Sequence, residues 1–157
     1  MTPVHDSFAI ERVFHACPAH VFACWADPEL KRQWFVDSDG PAWEEREYSL
    51  DFRIGGVETG RFVLTEGPGA GEHRNLTHYL DIIEGERIVY AYTMALDGRI
   101  HSASLATVTF ADENGGTRML LTEQGSFFPP SDGVEGRRHG WEALIDALEG
   151  FLKRDAA

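Results

Sequence analysis

Positive charge is scarce in this 157-residue chain: 14 Lys and Arg stand against 26 Asp and Glu, a formal net charge of −12. No basic cluster is longer than a pair such as Arg137-Arg138. A surface of this sign repels a phosphate backbone, so neither nucleic acid nor anionic membrane is expected as a partner, and the acidity is read as a solubility device. Cysteine is nearly absent. Cys17 and Cys24 are the only two and form no CxxC pair, which excludes a disulfide framework and a Rieske-type iron–sulfur centre and points to a reduced, cytoplasmic protein. No stretch reaches eighteen apolar residues, and the segment from Met1 to Ser7 has no basic region followed by an apolar run. Neither membrane insertion nor a secretory leader is expected.

Catalytic signatures are missing too. The sequence has no Gly-x-Ser-x-Gly elbow and no His-Glu-x-x-His, and the glycine-rich run Gly67 to Gly71 is not followed by the Lys-Ser or Lys-Thr of a phosphate loop; it reads as a hairpin loop. The seven histidines are scattered, and His15 and His20 straddle Pro18, so no metal and no cofactor is expected.

What is present is aromatic and amphipathic. The length and a hydrophobic content of 43% suit one domain over 1–157 with a substantial core, and four Trp, four Tyr and ten Phe can line a cavity as well as fill a core. Trp141, Leu144, Ile145, Leu148, Phe151 and Leu152 recur at helical steps between Glu142, Asp146, Glu149 and Lys153, so the chain ends in a helix with one wide apolar stripe. Ser131 and Asp132 are N-cap candidates, Glu135 suits the first turn and Lys153-Arg154 the last. Gly136 and Gly140 inside this helix each cost about 1 kcal/mol relative to Ala, which implies a bend or a close approach to the backbone.

Upstream, Ser7 to Ala16 reads as a strand that changes phase near Arg12, with Phe8, Ile10 and Val13-Phe14 as its apolar positions. Pro18 opens a first short helix. Asp27-Pro28-Glu29 caps a second one, in which Leu30 and Trp34 share a face. From Glu44 to Gly125, turn signals at Gly55-Gly56, Gly67 to Gly71, Glu84-Gly85, Asp97-Gly98 and Asn114 to Gly116 divide roughly six antiparallel strands. Ile88, Tyr90, Tyr92 and Met94, then Met119, Leu121 and Glu123, then Phe62 and Leu64 define the face that the last helix covers.

Five stretches in this order carry a resemblance: Pro18 to Glu29, Asp51 to Gly56, Glu86 to Tyr90, Thr107 to Phe110 and Gly140 to Leu144. Together they resemble the SRPBCC superfamily, also called START-like or birch-allergen-like, in the branch of bacterial homologues of the activator of heat-shock-protein-90 ATPase. The resemblance covers nearly the whole chain and implies an α+β helix-grip fold. An antiparallel sheet of about seven strands is then expected to wrap a long C-terminal helix, with two short helices after the first strand. It also implies a cavity between sheet and helix for a small apolar or amphipathic molecule.

The expected cavity is about 300–1,000 Å³, the usual range for such sites. Trp34, Phe35, Phe62, Tyr79, Tyr90, Tyr92, Met94, Leu121, Glu123, Phe127, His139 and Trp141 are its candidate lining. Glu123 is the sharpest of these, because strand parity turns it inward, where a carboxylate must be paired, hydrogen-bonded or protonated; Arg53, His139 or a ligand group is the candidate partner. Three function classes follow, in order. The first is a binder of a lipophilic ligand. The second is a cyclase, dehydratase or hydrolase using Glu123, His139 and Arg53. The third is a cochaperone-like interaction module with a place in stress response, and a homodimer is compatible with any of them.

Overall fold

The computed structural model describes residues 2–37 and 42–156. In chain order these form β1 (Val4–Phe14), α1 (Pro18–Ala26), α2 (Pro28–Lys31), a π-helical turn (Arg32–Val36) and β2 (Trp43–Leu50). Then come β3 (Val57–Leu64), β4 (Gly71–Ile83), β5 (Arg87–Leu96), β6 (Arg99–Glu113), β7 (Gly116–Phe127) and α3 (Gly133–Asp155). The strands make one seven-stranded antiparallel sheet in the order β1-β7-β6-β5-β4-β3-β2. β1 and β2 are therefore opposite edges, and the helical segment between them has to cross the sheet. With α3 packed against β1, β7 and the π turn, this is the helix-grip architecture.

Local chemistry explains most of the frame. Asp97 (φ 49°) and Gly98 (φ 80°) join β5 to β6, and Asn114 (φ 53°) and Gly115 (φ 85°) join β6 to β7. Two successive positive φ angles match the right-handed twist of the flanking strands, and Asp, Asn and Gly tolerate them best. The Asp27 carboxylate accepts a hydrogen bond from the Glu29 amide at 2.9 Å and starts α2, with Pro28 in its first turn. α3 begins after Asp132, and Glu135 and Lys153-Arg154 occupy its first and last turns.

Three details depart from the sequence reading. β1 keeps a single phase: Phe8, Ile10 and Phe14 are buried while Val13 is 45% exposed. Arg12 sits on the inward parity, and its guanidinium leaves the apolar interior by pairing with Asp146 (2.9 Å) and Glu149 (3.1 Å) of α3. In α2 the buried residue is Lys31, whereas Leu30 is half-buried; the π turn that begins at Arg32 is wider than an α turn and takes Trp34 out of phase with Leu30. The glycines of α3 differ from each other. At Gly136 the Asp132 side chain occupies the space of a Cβ, while at Gly140 nothing lies within 4 Å of that position.

The core lies between the concave sheet face, α1, the π turn and α3. Trp25 stacks on Trp141 with centroids 5.9 Å apart and planes 18° apart, and Trp34 meets Trp25 edge-on at 4.9 Å. Each large side chain fully buried in this way contributes about 1.5–3 kcal/mol. They fix the helices against the sheet.

Candidate functional site

Strand pairing lines up inward residues across the concave face. One row runs Phe8, Glu123, Ala106, Tyr90, Tyr79; the next runs Gly125, Ser104, Tyr92, Thr77, Glu58. Period-2 alternation alone brings these residues together, since each is an inward position of its strand. The helices add two cations: Arg137 from α3 and Lys31 from α2. Two buried ion pairs result, and they differ in how fully their polar atoms are used.

The first pair is saturated. Glu123 is wholly buried, and its Oε2 accepts from Arg137 Nη1 at 3.2 Å while Oε1 accepts from the Tyr92 hydroxyl at 2.6 Å. Tyr92 Oη accepts in turn from Arg137 (3.0 Å) and from the Trp141 indole N–H (3.1 Å). Arg137 Nη2 donates to Ser102 Oγ at 2.5 Å, and the guanidinium lies 5.3 Å from both the Tyr92 and Phe127 rings. Both Glu123 oxygens and both terminal nitrogens of Arg137 are engaged here. The cluster ties α3 to β5, β6 and β7 and leaves little for a ligand to bind.

The second pair is not saturated. Lys31 Nζ lies 2.7 Å from Glu58 Oε2, and the Tyr48 hydroxyl donates to that same oxygen at 2.6 Å. Glu58 Oε1 receives only a long bond from the Tyr79 hydroxyl, at 3.5 Å, and Tyr79 in turn accepts a long one from Lys31, also 3.5 Å. An ammonium carries three donors and a carboxylate about four acceptor sites, so capacity remains on both. Lys31 is 3% and Glu58 2% exposed. The Lys31 ammonium is held over the rings of Phe35 (4.6 Å) and Trp25 (5.5 Å), where cation–π attraction offsets part of its desolvation.

The same interior holds orphaned groups, of which Trp25 lies beside Lys31 and Tyr90 stands in the strand row of Glu123. The Tyr90 hydroxyl and the Trp25 indole N–H are buried and have no hydrogen-bond partner among the described residues. Tyr90 neighbours Tyr79 at 6.0 Å and Tyr92 at 5.8 Å between ring centroids. A buried polar atom with no partner costs about 1–3 kcal/mol, so two on one interior call for an explanation. Burial first, then Glu58 for Tyr79 and the neighbouring Tyr92 and Glu123 for Tyr90, hold both phenols well above the usual tyrosine range, so both remain protonated donors at neutral pH.

Of the expected lining residues, Trp34, Tyr79, Tyr90, Tyr92, Leu121 and Trp141 are buried together, with Phe35 and Met94 partly buried against them, while Phe127 is buried apart from this cluster beside the Arg137 guanidinium. Phe62 is half-buried near the sheet edge. The rings pack against one another, and the two concavities described lie elsewhere. One, of about 140 Å³, is on the outer sheet face around Arg61 and Arg74; the other, an open groove of about 550 Å³, lies between α1 and the Glu84-Gly85 turn.

The three catalytic candidates do not meet. His139 is exposed on α3. Arg53 is an exposed partner of Asp51 at 2.9 Å, and the partner of Glu123 is Arg137. Among the described residues no group of three or more His, Cys, Asp and Glu is placed to hold a metal ion, and no helix is long and apolar enough to cross a membrane.

Sequence reasoning passed over Lys31, Glu58 and Arg137 as site residues. Two of them carried a signal: Glu58 shares strand parity with Phe62 and Leu64, and Arg137 stands one helical turn before Trp141. Lys31 carried none, because its burial depends on the helical crossover that lays α2 over β3.

The fold and its polar-lined interior define a helix-grip protein of the START-like type. The model of the family described as "Activator of Hsp90 ATPase homolog 1-like protein" matches residues 15–153, and the chain belongs to that family. It is similar to the Mll3558 protein of Rhizobium loti, at 39% identity and TM-score 0.83 over 96% of this chain and 99% of that one. A protein of Rhizobium leguminosarum gives 40% identity and TM-score 0.88 over 98% and 97%. Protein CV1439 of Chromobacterium violaceum, at 23% identity and TM-score 0.73 over 92% and 94%, shares the fold. No curated protein gives a significant match.

Proposed function

We propose that this protein binds a small amphipathic molecule in its interior, between the concave sheet face and the segment formed by α2, the π turn and α3. One observation carries the reading: the Tyr90 hydroxyl is buried without a partner among the described residues, and its ring neighbour Tyr79 leads on to an ion pair with unused hydrogen-bonding capacity. A purely structural interior would have replaced that hydroxyl by hydrogen, since Phe packs as well and leaves nothing unsatisfied. A ligand explains both the hydroxyl and its surroundings.

Among the described residues the side chains that line this interior are buried, so entry requires the roof to move. The π turn is the element suited to this, because π turns are strained relative to α-helix and recur at functional positions. It carries Phe35, whose ring lies 4.6 Å from the Lys31 ammonium, with Trp34 packed against it. Titration with the neutral dye N-phenyl-1-naphthylamine tests the reading. Saturable 1:1 binding that shifts the Trp25 indole N–H resonance is expected; absence of saturable binding, or binding that leaves that resonance unmoved, overturns it.

The family description also supports a second reading, contact with a chaperone ATPase. Stimulation of a purified chaperone's ATP hydrolysis by the full chain is the corresponding assay, and an unchanged rate removes that reading.

A further inference from the structure

We infer that the molecule bound is a neutral aromatic alcohol, a phenol or close analogue, whose hydroxyl docks on the Lys31–Glu58 pair. The inference rests on the reading of the interior as a ligand site and adds the chemistry that the site selects.

The charge balance comes first. Two carboxylates, Glu58 and Glu123, and the cation Lys31 are buried on this face; Lys31 pairs with Glu58, and Glu123 pairs with the half-buried Arg137. A bound anion would bring an unmatched negative charge into a water-poor interior, and a bound cation would compete with Lys31 for the faces of Phe35 and Trp25 that it already occupies. Either costs far more than a neutral guest, because an isolated charge loses its hydration without compensation.

Hydrogen-bonding valence narrows the class further. Glu58 Oε1 wants a donor, its one present partner being Tyr79 at 3.5 Å. Lys31 Nζ has one short acceptor, at 2.7 Å, and a long one at 3.5 Å, so it has a proton to give. In the same aromatic row, one ring beyond Tyr79, the Tyr90 hydroxyl also has a proton with no acceptor among the described residues. The group that serves both needs donates once and accepts at least once at a single atom, and a hydroxyl does so. A ketone or an ether accepts only and leaves Oε1 unfilled; a hydrocarbon leaves the whole set dry and unpaired. The rings of Trp25, Phe35, Tyr79, Tyr90 and Trp141 around this pole then favour a flat aromatic body.

Four probes of one shape separate these cases by calorimetry at neutral pH: 2-naphthol, 2-methoxynaphthalene, naphthalene and 2-naphthoate. 2-Naphthol is expected to bind at least about tenfold more tightly than the ether and the hydrocarbon, since sites built to pair a hydroxyl reject analogues without one, and 2-naphthoate should bind most weakly. The double variant Lys31→Met, Glu58→Leu replaces the pair by apolar groups, which folded proteins often tolerate, and should bring the 2-naphthol to naphthalene ratio close to one. In the unmodified protein 2-naphthol, and not naphthalene, should shift the Glu58 side-chain carboxyl ¹³C resonance, a readout that needs no variant.

Equal affinity for 2-naphthol and naphthalene overturns the inference and leaves the ligand-site reading standing. So does a hydroxyl preference that persists in the double variant or leaves Glu58 unshifted. Failure of all four probes to bind overturns both.

Discussion

The carboxylate of Glu123 and the guanidinium of Arg137 meet at 3.2 Å beneath α3, with Glu123 wholly enclosed and Arg137 still 11% exposed along its side chain. The asymmetry sets what each residue does when its partner is lost. Arg137 can turn toward water, whereas Glu123 has nowhere to go.

Arg137→Met is therefore expected to destabilise the fold by about 3–5 kcal/mol, the usual cost of stranding a buried charge. Glu123→Gln should cost less, because the amide still bonds Tyr92 and the freed guanidinium can be hydrated. Urea unfolding of the two variants measures the order. Equal losses would mean that Glu123 is not enclosed as described.

Tyr79, Tyr90 and Tyr92 are buried, and burial raises each phenol above its ordinary range. Cys24 is raised likewise, to about 12. Above the unfolded-state pKa values, the folded protein holds protons that the unfolded chain releases, so stability is intact below about pH 8, begins to fall as pH passes the free-thiol range near about 8.5 and falls more steeply beyond about 10. Each phenol contributes about 1.4 kcal/mol per pH unit to that fall. Absorbance at 295 nm should show no independent tyrosine step near pH 10 for these residues, and phenolate should appear together with loss of the far-ultraviolet circular dichroism. A separate step of three phenols with the dichroism intact contradicts their burial.

Gly140→Ala should stabilise the protein by about 0.5–1 kcal/mol. The position is interior to α3, exposed, and has nothing within 4 Å of an added Cβ, so the gain is the helix propensity of Ala and the reduced entropy of the unfolded chain. Thermal unfolding decides it. A loss of stability would point to a need for glycine at this turn, such as a bend during opening of the interior.

Arg12→Met is expected to cost no more than about 1 kcal/mol, despite two carboxylate partners, since Asp146 and Glu149 are solvated and the pairs are screened. The difference from the parent should shrink in 1 M NaCl. A large, salt-independent loss would mean that the Arg12 stem, and not its charge, holds β1 to α3.

Much of this molecule was legible in the order of its residues. The turns at Asp97-Gly98 and Asn114-Gly115, the cap at Asp27-Pro28 and the stripe from Trp141 to Leu152 are local signals, each read within a few residues, because dihedral preferences and side-chain periodicity are short-range properties. Inward parity, and with it the burial of Glu123, Tyr90 and Tyr92, follows from the same period. The family resemblance then supplied the arrangement of the elements.

The site was another matter. Lys31 and Glu58 meet because the helical crossover lays α2 over β3, and Arg137 displaced Arg53 and His139 as the partner of Glu123 because α3 lies at one height along the sheet. Those distances depend on how whole elements pack, summed over many small contacts between residues far apart in the chain. Alternation along a strand says that a carboxylate points inward. Only the packed interior decides which cation reaches it, and which polar atoms are left without a partner.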